Sequence, residues 1–288
     1  MKANYISSKE LVVEILTRAV LLLLYFIVDF TEPFQRKVQP EEEWLYKFPR
    51  TESYVTRTTL WVIVFIFPTL VLLAVYLYSK DKWDLIQATL GLSLALCLNG
   101  VITNIVKVSV GRPRPDFFFR CFPNGVGSLL QPCRGPKEDV VEGLKSFPSG
   151  HSSFSFVSLG FTAFYLFGKL GTFQRNKRQQ AWRLVIPGSF LVWAAAIAVS
   201  RTCDYHHHWQ GERHYSMRIP MFGSFISARI EEKKGIIASR SLDFSMTPPF
   251  SAFCFVFFFF FSKIVKDAQG KTMEKHWEIS GSALFSGK

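Results

Sequence analysis

Five long apolar blocks within the first 200 residues constrain this chain more than any other feature of its sequence. A hydrocarbon core about 30 Å thick asks for roughly 20 helical residues, with ~17 as the lower limit. Residues 59–78 and 85–106 carry no charge over 20 and 22 positions, so both meet that length. Residues 11–30 are apolar apart from Glu14, Arg18 and Asp29. Residues 152–167 and 184–200 are uncharged but shorter. The former reaches across only with the aliphatic stem of Lys169, which can snorkel to the interface. Together the blocks predict an all-α, polytopic transmembrane helix bundle of five clear spans, rather than core helices of a soluble protein. The first block is too long for the apolar core of a cleaved signal and ends in Asp29, Phe30, Thr31 and Glu32, not in small residues. Glu14 and Arg18, four positions apart, share a helix face and can pair. The pair either turns toward other helices or marks an interfacial helix start.

Composition closes off other classes. With 30 Phe and only 19% charged residues the chain is not disordered, and five Cys in 288 residues do not make a disulfide scaffold. The net charge of +12 is shared between short loops and one functional cluster, so it does not imply a nucleic-acid partner. The stretch 169–183 holds five Lys/Arg and no acid, which makes it cytoplasmic. Parity then puts residues 79–84 and the N-terminus on the same side. Residues 31–58, 107–151 and the end of the fifth span fall outside. The outer stretch 107–151 nevertheless carries seven Lys/Arg, so those cations need another explanation. Cys121 and Cys133 share this loop, either as a disulfide in a lumenal compartment or as two free thiols. Cys97 and Cys254 lie in apolar runs and read as packing residues.

Three clusters fall on the outer face. Lys107 leads to Arg114, Pro115 and Asp116. Pro148, Ser149, Gly150 and His151 open the fourth span. Ser200 and Arg201 lead to His207. Lys107, Arg114 and Arg201 can meet phosphate oxygens, the arginines as bidentate forks. A helix opening at Ser149-Gly150-His151 would offer free N–H groups and a positive dipole end to an anion, and Gly150 lets the backbone approach closely. One histidine can attack phosphorus while the other protonates the leaving oxygen. The cations would offset charge in the transition state with no metal. Cys203 and His207 are spaced to converge on zinc, but no further ligands have matching spacing. Asp116 and Arg120 read as structural partners in the outer loop.

These clusters resemble the type 2 phosphatidic acid phosphatase (lipid phosphate phosphatase) family, whose pattern is K-x6-RP, PSGH and SR-x5-H-x3-D. Lys107 to Arg114-Pro115, Pro148 to His151, and Ser200-Arg201 to His207 match in order. The run from Gly111 to Pro123, with Pro33 to Arg36 and Gln39 to Tyr46, resembles the diacylglycerol-pyrophosphate-phosphatase-like subgroup. The resemblance covers roughly residues 10–210. It implies His207 as nucleophile through a phosphohistidine and His151 as general acid. It implies phosphate binding by Lys107, Arg114, Ser149, Gly150 and Arg201, and no metal or other cofactor. It further implies phosphatidate, lysophosphatidate or diacylglycerol pyrophosphate as substrate, and a site on the lumenal or extracellular face of the endoplasmic reticulum or plasma membrane.

The match breaks after Gln210. The family's Asp, four residues past the nucleophile, is Gly211 here. If that Asp orients the imidazole as Asp does in a Ser-His-Asp triad, its loss costs roughly 10⁴-fold in rate. On a continuing helix Glu212 would point away, and Asp204 would sit a turn too early. A sixth span should follow at once; instead residues 211–243 are polar. The next apolar segment, 244–262, contains Pro248 and Pro249 and is marginal. The chain thus divides into a transmembrane phosphatase domain, 1–210, incomplete at its C-terminal end, and a divergent tail, 211–288. An alternative function follows: a catalytically impaired isoform that binds lipid phosphates or partners an active subunit. A misjoined or alternative 3′ end predicts an exon boundary at Gln210–Gly211 in the gene. An uninterrupted coding exon across that point would refute it.

Overall fold

A computed structural model describes residues 7–172 and 180–208. The tail 211–288, with Gly211 and the segment 244–262, lies outside the described residues. Among the described residues every regular element is helical. Five helices are long and apolar enough to cross a membrane: α1 (Ser8–Asp29), α2 (Arg57–Ser79), α3 (Lys82–Val110), α6 (Gly150–Leu170) and α7 (Trp182–Cys203). Two short helices, α4 (Phe117–Cys121) and α5 (Lys137–Gly143), and a 3₁₀ turn at Pro40–Tyr46 lie in the connections. Helices α2, α3, α6 and α7 each outrun their uncharged blocks, because residues such as Arg57, Lys82, Lys107 and Lys169 extend the terminal turns with polar heads that need not enter hydrocarbon.

Helix α6 is the axis of the bundle, with 78% of its most apolar window buried in protein. This accounts for its modest length and its small polar residues. Ser152, Ser153, Ser155, Ser158 and Thr162 are all buried, and small side chains let neighbouring backbones approach. Ser158 Oγ donates to the Val64 carbonyl of α2 at 2.6 Å. Helices α2, α3 and α7 surround α6 through Val64, Leu72, Ala88, Ala95, Leu96, Ala194 and Ala198. Helix α1 sits at the periphery and shows lipid a broad apolar face.

The Glu14–Arg18 pair resolves in favour of helix docking. Arg18 bonds Glu14 at 2.7 Å and reaches α3, where Nε donates to Ser93 Oγ at 2.9 Å and Nη2 to the Leu90 carbonyl at 2.5 Å. At the other end of the bundle, the connections form a cap with its own apolar core of Tyr46, Phe117, Phe118, Phe122 and Leu144. Cys121 and Cys133 are joined as a disulfide. Asp116 and Arg120 form a buried pair at 2.7 Å, the structural role expected of them.

One buried ionic group ties α3 to α6. Tyr165 Oη donates to Asp84 Oδ2 at 2.5 Å, and Lys169 Nζ lies 2.8 Å from Oδ1. A hydrogen bond to a charged group contributes about 1.5–3 kcal/mol. Asp84→Ala should therefore cost about 3 kcal/mol of stability, read as a lower thermal midpoint in detergent. An unchanged midpoint would show that the pair contributes nothing.

Candidate phosphate-binding site

Three helix ends meet beneath the cap. Lys107 lies in the last turn of α3, His151 in the first turn of α6 and Arg201 in the last turn of α7. Helix α3 stops at Gly111, whose φ of +55° suits glycine and whose Cβ would stand 1.7 Å from the Phe34 carbonyl. Helix α6 starts at Ser149, whose hydroxyl caps it by accepting from Ser152 N at 3.3 Å. Gly150 follows, and a Cβ there would lie 3.3 Å from Lys107 Nζ. Its lack of a side chain therefore makes room for the lysine.

The extended segment from Arg112 to Pro115 joins the three clusters. Proline fixes φ and keeps the preceding residue extended, so its neighbours must supply the hydrogen bonds. The Arg112 carbonyl accepts from Ser146 N at 3.0 Å, and Arg114 N donates to the Gly143 carbonyl at 2.8 Å. The Pro113 carbonyl accepts from His208 Nε2 at 3.1 Å, and that of Pro115 from Phe48 N at 3.0 Å. One short segment thus aligns the approach to α6, the residues after α7 and the first outer connection.

The two histidines share an electrostatic setting. Lys107, Arg114 and Arg201 are charges that act on His151, and the same three act on His207. His207 Nδ1 lies 2.5 Å from the Ser146 carbonyl. A carbonyl only accepts, so Nδ1 carries the hydrogen and Nε2 the lone pair. Burial, then Arg114 and Arg201, hold the His207 pKa well below the ordinary histidine range, so its imidazole is neutral. The His151 ring adjoins the backbone of Val55. Its Nε2 is buried with no hydrogen-bond partner among the described residues. Arg201 Nη1 donates to the Val55 carbonyl, at 3.4 Å.

Five of the expected residues thus share one site: Lys107, Arg114, His151, Arg201 and His207. Ser149 and Gly150 adjoin them as the α6 cap and the space beside Lys107. The expectation of a continuing helix at His207 is corrected. Helix α7 ends at Cys203, Tyr205 takes a left-handed φ of 55°, and His207 N turns back to the Arg201 carbonyl at 3.1 Å. Helical angles therefore do not govern which acid reaches His207. Asp204 does not orient it. Its carboxylate holds Arg201 Nη1 at 2.7 Å and accepts from His206 N at 3.3 Å. Among the described residues no three His, Cys, Asp or Glu side chains gather as a metal site. Sequence reasoning missed the Val55 and Ser146 carbonyls, which no side-chain pattern marks. It also missed Glu142, whose carboxylate pairs with Arg114.

Comparison with known proteins gives a consistent picture. Residues 88–210 match the model of the PAP2 superfamily. Lipid phosphate phosphatase 2 of Arabidopsis thaliana is 39% identical over 196 residues, covering 66% of this chain and 67% of the relative. Probable diacylglycerol pyrophosphate phosphatase 1 of Schizosaccharomyces pombe is 37% identical, covering 65% and 69%. Diacylglycerol pyrophosphate phosphatase 1 of Saccharomyces cerevisiae is 32% identical over 215 residues, covering 71% and 74%. No solved structure matches the chain.

His208 offers a test of how the site is held. Burial, then Arg112, pushes its pKa down to about 3. An unfolded histidine takes up its proton near pH 6.5. Between those values the unfolded chain binds more protons, so acid favours unfolding by up to about 1.4 kcal/mol per pH unit. The thermal midpoint in detergent should fall from pH 6.5 to 5, and His208→Gln should flatten that fall. Parallel slopes would contradict the assignment.

Proposed function

The chain belongs to the PAP2 superfamily and is an integral-membrane phosphatase, and on that premise we propose that it releases phosphate from phosphatidate, and from the related lysophosphatidate and diacylglycerol pyrophosphate. The reading rests on one observation. Both imidazoles lie in the field of the same three cations, and the Ser146 carbonyl holds the His207 ring by Nδ1. A phosphate monoester is the anion such a pocket suits. With the site at the helix ends, the headgroup can enter while the acyl chains stay in the bilayer.

The chemistry divides between the rings. His207 Nε2 attacks phosphorus and forms a P–N bond as the bond to the lipid oxygen breaks. His151 gives its proton to that oxygen, releasing diacylglycerol when phosphatidate is the substrate. Lys107, Arg114, Arg201 and the N-terminus of α6 at Ser149 and Gly150 stabilise the charge on the equatorial oxygens. Water then attacks the phosphohistidine, His151 takes a proton from it, and phosphate leaves. The Ser146 carbonyl keeps the hydrogen on His207 Nδ1 throughout, and the imidazolium formed in the intermediate strengthens that bond.

We assign residues 1–210 to the phosphatase domain and 211–288 to a divergent tail. We assign the site to the lumenal or extracellular face of the endoplasmic reticulum or plasma membrane. The Cys121–Cys133 disulfide in the cap supports an oxidising compartment. Gly211 favours a second reading, an impaired isoform that binds lipid phosphates or partners an active subunit. Against it stands the Ser146 carbonyl, which already performs the orienting part of the missing acid's task.

Phosphate release from phosphatidate in detergent with EDTA decides between them. The unmodified chain should be active, and Gly211→Asp should raise the rate by less than about 100-fold, well short of the ~10⁴ that a lost orienting Asp implies. A gain near the full value would favour the impaired isoform. His207→Ala should abolish both turnover and the phosphoenzyme; surviving activity would refute the nucleophile.

A further inference from the structure

Glu142 belongs to none of the three motifs, yet it is the charge acting most strongly on both Lys107 and Arg114. Its Oε1 lies 2.5 Å from Arg114 Nη2, and its main-chain carbonyl accepts from Arg114 Nε at 3.1 Å. One residue therefore occupies the Nε/Nη2 edge of the guanidinium. That leaves Nη1 and the second hydrogen of Nη2 to reach a phosphate. Arg57 and Lys145 also act on the same carboxylate. The Arg114 side chain is 7% exposed and that of Glu142 43%, so the carboxylate forms the solvent side of the pair.

We propose that Glu142 is a positioning residue that serves as the pocket's own counter-anion, holding Arg114 for the substrate phosphate and opposing retention of the product phosphate. The inference rests on the phosphatase reading above. Several cations gathered in one half-dry pocket repel one another, and a fixed carboxylate offsets that repulsion while the site is empty. Once phosphate is bound, the same carboxylate faces another anion across the shared cations. Its repulsion falls on substrate and product alike, but free orthophosphate has no lipid contacts to offset it. Holding and opposing are separable, because an amide oxygen still accepts from Arg114 but carries no charge.

The test is orthophosphate binding to the full chain in detergent by titration calorimetry, alongside phosphatidate turnover. Glu142→Gln should bind orthophosphate about tenfold more tightly and turn over more slowly at saturating substrate, as release becomes limiting. Glu142→Asp, which keeps the charge, should bind within about threefold of the unmodified chain. Unchanged or weaker binding by the Gln variant overturns the inference, since a purely structural peg would give that result. Equal tightening in the Asp variant also overturns it, by tracing the effect to lost packing. An unmodified chain that releases no phosphate from phosphatidate overturns the phosphatase reading, and this inference with it.

Discussion

Three cations brought to one spot at the edge of a hydrocarbon layer repel each other, and the arrangement of this end of the molecule follows from containing that repulsion. In a medium of intermediate dielectric two like charges a few ångströms apart cost several kcal/mol, on the order of 4 at 4 Å. Carboxylates do part of the work. Glu142 holds Arg114 and Asp204 holds Arg201, each at hydrogen-bonding distance. Backbone carbonyls do the rest, because they satisfy N–H groups without adding a charge that would compete with the ligand. Val55 serves Arg201, Ser146 serves His207, and Pro113 serves His208.

Those carbonyls come from connections, not from membrane helices. The cap therefore has a definite task. Its apolar core around Phe117, Phe118 and Phe122 and its disulfide hold the loop residues on which the histidines depend. The helices supply position along the membrane normal: the C-terminal end of α3, the N-terminal end of α6 and the C-terminal end of α7 lie at one level. Close packing of α6 against its neighbours sets how far apart those ends are, and small Ser, Thr, Gly and Ala residues interrupt the aromatic and aliphatic ones along its buried face.

Much of this was legible beforehand, and the reasons are physical. A bilayer-spanning helix must be long, apolar and nearly uncharged, so five spans stand out in composition alone. Lys107, Arg114, His151, Arg201 and His207 stand out because cations and imidazoles are costly near hydrocarbon unless they share a task. The docking role of Arg18 was less legible, since its partners on α3 are a hydroxyl and a carbonyl 72 to 75 positions away. The turn at Tyr205 was illegible: neither Gly nor Asn marks its left-handed φ. Helical reasoning about Asp204 and His207 failed for that reason.

From the sequence alone came the all-helical membrane bundle, the three motifs and the gap at Gly211, because hydropathy, charge and residue type are written position by position. The tertiary structure alone decided that the Ser146 carbonyl orients His207, that Asp204 belongs to Arg201, and that Glu142 stands among the cations. Those are contacts from side chains to main-chain carbonyls, or between charges whose pairing depends on where the chain turns. Every residue carries a carbonyl, so nothing in the order of side chains says which one an imidazole will meet.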